Sequence, residues 1–94
     1  MALHLDEIRK EIDHIDRNLV SLLEQRMACV EQVIAYKQQE GLPILDQNRE
    51  KFVLDKVAKL VQQVDYQEAI IKTFEDILRQ SRDYQATKLV TKDQ

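Results

Sequence analysis

The sequence of 94 residues contains one glycine, one proline, one cysteine and no tryptophan. So few chain breakers exclude a turn-rich β fold and favour long helices. The single cysteine, Cys29, leaves no internal disulfide. It lies between apolar helix positions, where a small buried hydrophobe is expected rather than a nucleophile. His4 and His14 stand ten residues apart with no cysteine near them, so they form no zinc-binding pattern. A basic excess is also missing: the net charge is -3, which argues against a nucleic-acid binder. No apolar run has the length to span a bilayer. The opening MALHLDEIRKEID is charged and amphipathic, without the apolar core of a signal peptide, so a cytoplasmic protein away from membranes is expected.

What is present points to one all-α domain over residues 1–94. Hydrophobic residues make up 44% and charged residues 33%, a globular balance, and aromatics are only 5%, so the core is expected to be aliphatic. A first helix is expected from about His4 to Glu40. Its apolar positions are Ile8, Ile12, Ile15, Leu19, Leu22, Cys29, Val33 and Tyr36, with Arg26 filling the missing place. The steps alternate between four and three, as in a heptad seam. Gly41 and Pro43 then stop the helix. A second helix is expected after the N-cap Asp46, carrying Phe52, Val53, Val57, Leu60, Val61 and Val64. A third is expected after Asp65, with Asp65 and Glu68 spaced as a capping box. Its seam, Ile70, Phe74 and Ile77, turns polar at Ser81 and Gln85, and residues 87–94 are expected to fray.

The first helix is too long for its own chain to cover. About 37 residues at ~1.5 Å each make ~55 Å, against a radius of gyration of ~12 Å for a compact chain of this size. An intertwined or antiparallel homodimer is the simplest remedy.

Polar residues on apolar faces carry the functional signal. Arg26 and Lys37 are eleven residues apart, which returns them to within ~20° of one face, ~16 Å apart along the axis. Val30 and Val33 lie between them. Each cation has two readings: a stem that snorkels with its head in water, or a charge aimed at a ligand. In mid-seam, Arg26 fits the second better, because a buried guanidinium needs an anion. Arg9 lies ~25 Å from Arg26 along one straight helix and cannot share its site within one chain. In an antiparallel dimer with its two-fold near the middle of the helix, Arg9 would approach Lys37 of the other copy. By composition, Asp46 to Glu50 is a capped helix start with Arg49 solvated. Asp13 and Asp16 look like solvated charge. Cations with amide and hydroxyl donors inside a bundle suit a small polyanion and charge developing on oxygen. They do not suit hydrolysis or redox chemistry.

The ordered set Arg9, Arg26, Lys37, Asp46-x-x-Arg49-Glu50 and Ser81-x-x-x-Gln85 resembles the all-helical class of chorismate mutases. The match runs from about Leu5 to Gln85, and LDEIRKEIDHIDRNLVSLLEQR followed by VIAYK looks like that family's long first helix. The resemblance implies an intertwined homodimer in which each active site takes one Arg from the partner. It implies conversion of chorismate to prephenate without metal or cofactor. It also implies roles: Arg26 and the partner copy's Arg9 on the substrate carboxylates, Lys37 and Gln85 on the ether oxygen, Glu50 and the backbone near Asp46 on the hydroxyl, and Arg49 and Ser81 at the carboxylate end.

Two other readings compete. An isochorismate pyruvate lyase shares this fold but tends to lack the complete Asp-x-x-Arg-Glu and Ser/Gln set; its products would be salicylate and pyruvate. A non-enzymatic helical dimerisation module would turn Arg26 and Lys37 outward or pair them with protein carboxylates. Whether the chain works alone, within a bifunctional enzyme or with a partner enzyme is left open by the residues.

Overall fold

The computed structural model describes residues 4–92, with side chains described as far as Leu89. They form three helices: α1 (Leu5–Glu40), α2 (Gln47–Leu60) and α3 (Val64–Lys92). Helix α1 runs 36 residues without a break, about 54 Å of axis. It ends at Gly41, whose φ of 66° is left-handed. There the amides of Gly41 and Leu42 both return to the Lys37 carbonyl, the latter at 2.9 Å. Glycine suits this C-cap because a Cβ disfavours the left-handed region. Helix α2 begins where expected: the Asp46 Oδ1 accepts the Arg49 backbone N–H at 3.0 Å.

The boundary between α2 and α3 differs from the sequence reading. Val61 is an extended cap that closes α2, and Val64 is the first residue of α3, so neither prolongs the second helix. Asp65 lies inside the first turn of α3. Glu68 pairs with Lys72 at 3.2 Å instead of closing a capping box. The cause is a bond across the turn: Gln67 Nε2 donates to the Ala58 carbonyl at 2.8 Å, satisfying a terminal acceptor of α2 and drawing α3 in early. At the other end, α3 continues as a helix to Lys92, where fraying from Thr87 was expected. Thr87 Oγ1 donates to the Asp83 carbonyl one turn back, at 3.0 Å. Residues 93 and 94 lie outside the described residues.

Helix α3 packs against both α1 and α2, and α1 and α2 do not approach each other. The buried apolar side chains among the described residues are Val30, Ile34, Val57 and Leu78. Cys29, expected to be buried, is exposed. Val30, one position on and ~100° around the helix, takes the inward place. Helix α1 therefore has two apolar faces. Val30 and Ile34 pack within the chain, whereas the heptad seam Ile8, Ile12, Ile15, Leu19 and Leu22 is exposed. Tyr84 of α3 donates to the Glu31 carboxylate of α1, and that bond raises its phenol pKa above the ordinary value. The chain measures 61 × 25 × 15 Å with a radius of gyration of 17.1 Å. Among the described residues no helix is long and apolar enough to cross a membrane.

Nothing lies within 4 Å of a Cβ added at Gly41. Gly41→Ala should therefore cost only the left-handed backbone strain, about 1–2 kcal/mol, read as a lower urea midpoint. An unchanged midpoint would show that the turn has another stable form.

Candidate active site

Because α1 and α2 diverge, a cavity of about 260 Å³ opens between them, floored by α3. Helix spacing delivers the lining. Arg26, Val30, Val33 and Lys37 of α1 follow one another by four, three and four residues along one face. On α3, Leu78, Ser81 and Gln85 form the buried line, so an apolar core face becomes polar as it enters the cavity. The α1–α2 loop adds Ile44 and Asp46, and the first turns of α2 add Arg49 and Glu50.

Lys37 is the most constrained of these groups. Its Nζ donates to the Ile44 carbonyl at 2.6 Å and to Gln85 Oε1 at 3.0 Å. Both acceptors are neutral, so the ammonium is held in place while its charge stays uncompensated. An ammonium has three donors, and one remains for a ligand. Gln85 Nε2 in turn donates to Ser81 Oγ at 3.4 Å, within a buried pair. Its second N–H is free to point at a ligand.

The other cations fall into two groups. Arg26 is half-buried and, among the described residues, makes no ion pair. Arg49 is exposed and lies over the Phe52 ring, 5.4 Å from its centroid, which orients it without neutralising it. Arg82, by contrast, donates through Nη1 to Glu50 Oε1 in a part-buried pair joining α3 to α2. The Asp46 carboxylate is engaged as the α2 cap. Among the described residues, Arg26, Lys37 and Arg49 thus line one cavity without a carboxylate partner, an arrangement that attracts an organic anion.

Of the residues expected from the sequence, Arg26, Lys37, Asp46, Arg49, Glu50, Ser81 and Gln85 line this cavity together. Arg9 does not: it is exposed near the far end of α1, about 42 Å along the axis from Lys37. The structure also adds residues that the sequence reading missed. Cys29 faces the cavity, and so does Arg82. No local signal points to Arg82, because its partner Glu50 lies 32 residues away on another helix. No group of three or more His, Cys, Asp and Glu among the described residues could hold a metal ion.

Fold and cavity together define an all-helical chain with a cation-lined cavity. Residues 8–86 match the family described as chorismate mutase type II. A chorismate mutase of Methanocaldococcus jannaschii is 37% identical over 83 residues, which cover 87% of this chain and 84% of that protein. A bifunctional chorismate mutase/prephenate dehydratase of Aquifex aeolicus is 32% identical over 78 residues, 79% of this chain but 22% of the relative. The T-protein of Haemophilus influenzae is 46% identical over 46 residues, 49% of this chain and 12% of the relative. No solved structure matches. The chain belongs to the type II, all-helical chorismate mutase family, whose reaction, chorismate to prephenate, is an isomerisation.

A guanidinium without a protein partner contributes little to folding. Arg26→Met should leave unfolding free energy unchanged or raise it by up to about 1 kcal/mol, as measured by urea titration. A loss above about 2 kcal/mol would mark Arg26 as a structural residue instead.

Proposed function

We propose that chorismate is rearranged inside this cavity, in a site completed by Arg9 from a second copy of the chain. The observation that carries the reading is Lys37, tethered by two neutral acceptors beside two unpaired guanidinium groups. The reaction is an intramolecular Claisen rearrangement, in which one C–O bond breaks as a C–C bond forms. It needs no nucleophile and no general base. It needs the folded conformer of the substrate and stabilisation of the charge that develops.

Arg26 and the partner copy's Arg9 bind the two carboxylates, where the forked guanidinium can fix orientation with paired hydrogen bonds. Arg49 and Ser81 support the same end. Lys37, through its remaining N–H, and Gln85, through Nε2, donate to the ether oxygen as it gains negative charge. Because both donors are already held by the protein, little reorganisation is needed at the transition state. The Glu50 carboxylate and the backbone near Asp46 take the ring hydroxyl. A volume of about 260 Å³ lies near the small end of ligand cavities, as a single-ring dicarboxylate requires.

Three observations support the second copy. Arg9 is exposed, far from the cavity of its own chain. The outward seam of α1 presents Ile8, Ile12, Ile15, Leu19 and Leu22 to solvent. The accessible surface is 8130 Å², whereas a compact monomer of this mass exposes ~5,700 Å². The excess, roughly 2,400 Å² per chain, falls within the range of obligate homodimer interfaces. An antiparallel pair with its two-fold near the middle of α1 covers that seam and brings Arg9 level with Lys37 of the other chain.

Lys37→Ala should lower kcat for chorismate by ~100-fold or more, the effect of losing one donor to a developing oxyanion. Helix content by circular dichroism should be unchanged. Near-normal chorismate loss in a direct absorbance assay would refute the role given to Lys37.

A further inference from the structure

A carboxylate in a pocket for a dianion is a problem in electrostatics. Glu50 lines the cavity with its side chain only 22% exposed. An anionic substrate would be repelled by it at the distance needed for hydrogen bonding, and like charges brought together in a partly desolvated site weaken binding strongly. The second carboxylate there, Asp46, is turned to the α2 backbone. Glu50 has no such backbone engagement; its partner is the guanidinium of Arg82, which is 30% exposed in the same cavity wall.

We propose that Arg82 is a positioning residue that makes Glu50 tolerable to a dianionic substrate. Arg82 acts in two ways. Its positive charge offsets that of Glu50, so the substrate meets a neutral pair rather than an anion. Its Nη1 occupies Oε1 of Glu50, which fixes the carboxylate and leaves Oε2 to accept from a substrate hydroxyl. Arg82 sits three residues before Gln85 on α3, and Glu50 is on the first turns of α2. The pair therefore also ties α3 to α2 at the cavity wall. Arg82 itself is given no contact with the reacting atoms.

This inference rests on chorismate occupying the cavity. It makes an unusual demand on a set of variants: the double substitution must bind substrate better than the single one. In Arg82→Gln, Glu50 faces the substrate as an unpaired anion. KM for chorismate should rise roughly 10-fold or more with kcat changed far less, because the repulsion acts alike on ground and transition states. In Arg82→Gln/Glu50→Gln the anion is gone while a weaker, neutral acceptor oxygen remains, and KM should fall at least about 3-fold below that of Arg82→Gln without reaching wild type. Arg82→Lys keeps the charge and should stay close to wild type in KM. A purely structural role, or direct contact of Arg82 with substrate, would leave the double variant at least as impaired as Arg82→Gln, and that result overturns the inference. A wild-type chain that leaves chorismate unchanged would overturn the assignment of the cavity and this inference with it. An active wild type with no recovery in the double variant overturns the inference alone.

Discussion

Lys37 is where the fold and the site meet: its backbone closes a helix and its ammonium orders the cavity. Its own carbonyl receives the amides of Gly41 and Leu42, closing α1. Its side chain holds the next loop through the Ile44 carbonyl and reaches α3 through Gln85. One residue thus ties the end of α1, the connection to α2 and the floor of the cavity. Neutral acceptors make this possible. A carboxylate in place of either would bind the ammonium more strongly and also cancel the charge the site needs. The protein keeps a cation ordered without neutralising it.

A second constraint is the shape of α1. A straight helix of 36 residues has more apolar surface than two shorter helices can cover. In this chain only Val30 and Ile34 of α1 are buried, both in its C-terminal half. The N-terminal half has no cover, and that half carries Arg9. The proposed second chain laid along the seam would answer both the uncovered apolar surface and the distance of Arg9 from the cavity. In the proposed dimer, a small chain would gain a deep site, with walls from α1, α2 and α3 and a lid from the other copy.

Much of this was legible in the residues. The span of α1 followed from the heptad steps and from Gly41 with Pro43, and the start of α2 from Asp46. Arg26 stands out by breaking the seam, whereas Lys37 has two readings and Arg49 reads as solvated until the ordered set is compared with the chorismate mutase family. What escaped was set by tertiary contacts. Val61 and Val64 continue a helical pattern, yet the Gln67 bond to Ala58 ends α2 earlier. Cys29 sits on the heptad stripe, but the intrachain face of α1 is rotated by one residue toward Val30, and heptad spacing alone does not say which stripe meets which partner. Arg82 gives no signal within QSRDYQ because its meaning lies in Glu50, 32 residues away. Periodicity reports the burial of a face; it does not report a pair across two helices.

The shared site is best tested by mixing two inactive variants. Arg9→Ala and Lys37→Ala are purified separately, combined in equal amounts, unfolded and refolded together, and assayed for prephenate formation. If each site takes Lys37 from one chain and Arg9 from the other, half of the refolded dimers are mixed. Each mixed dimer then carries one intact site and one doubly damaged site. The mixture should recover about a quarter of wild-type activity. Activity no greater than that of the two variants refolded apart would contradict a site built from two chains.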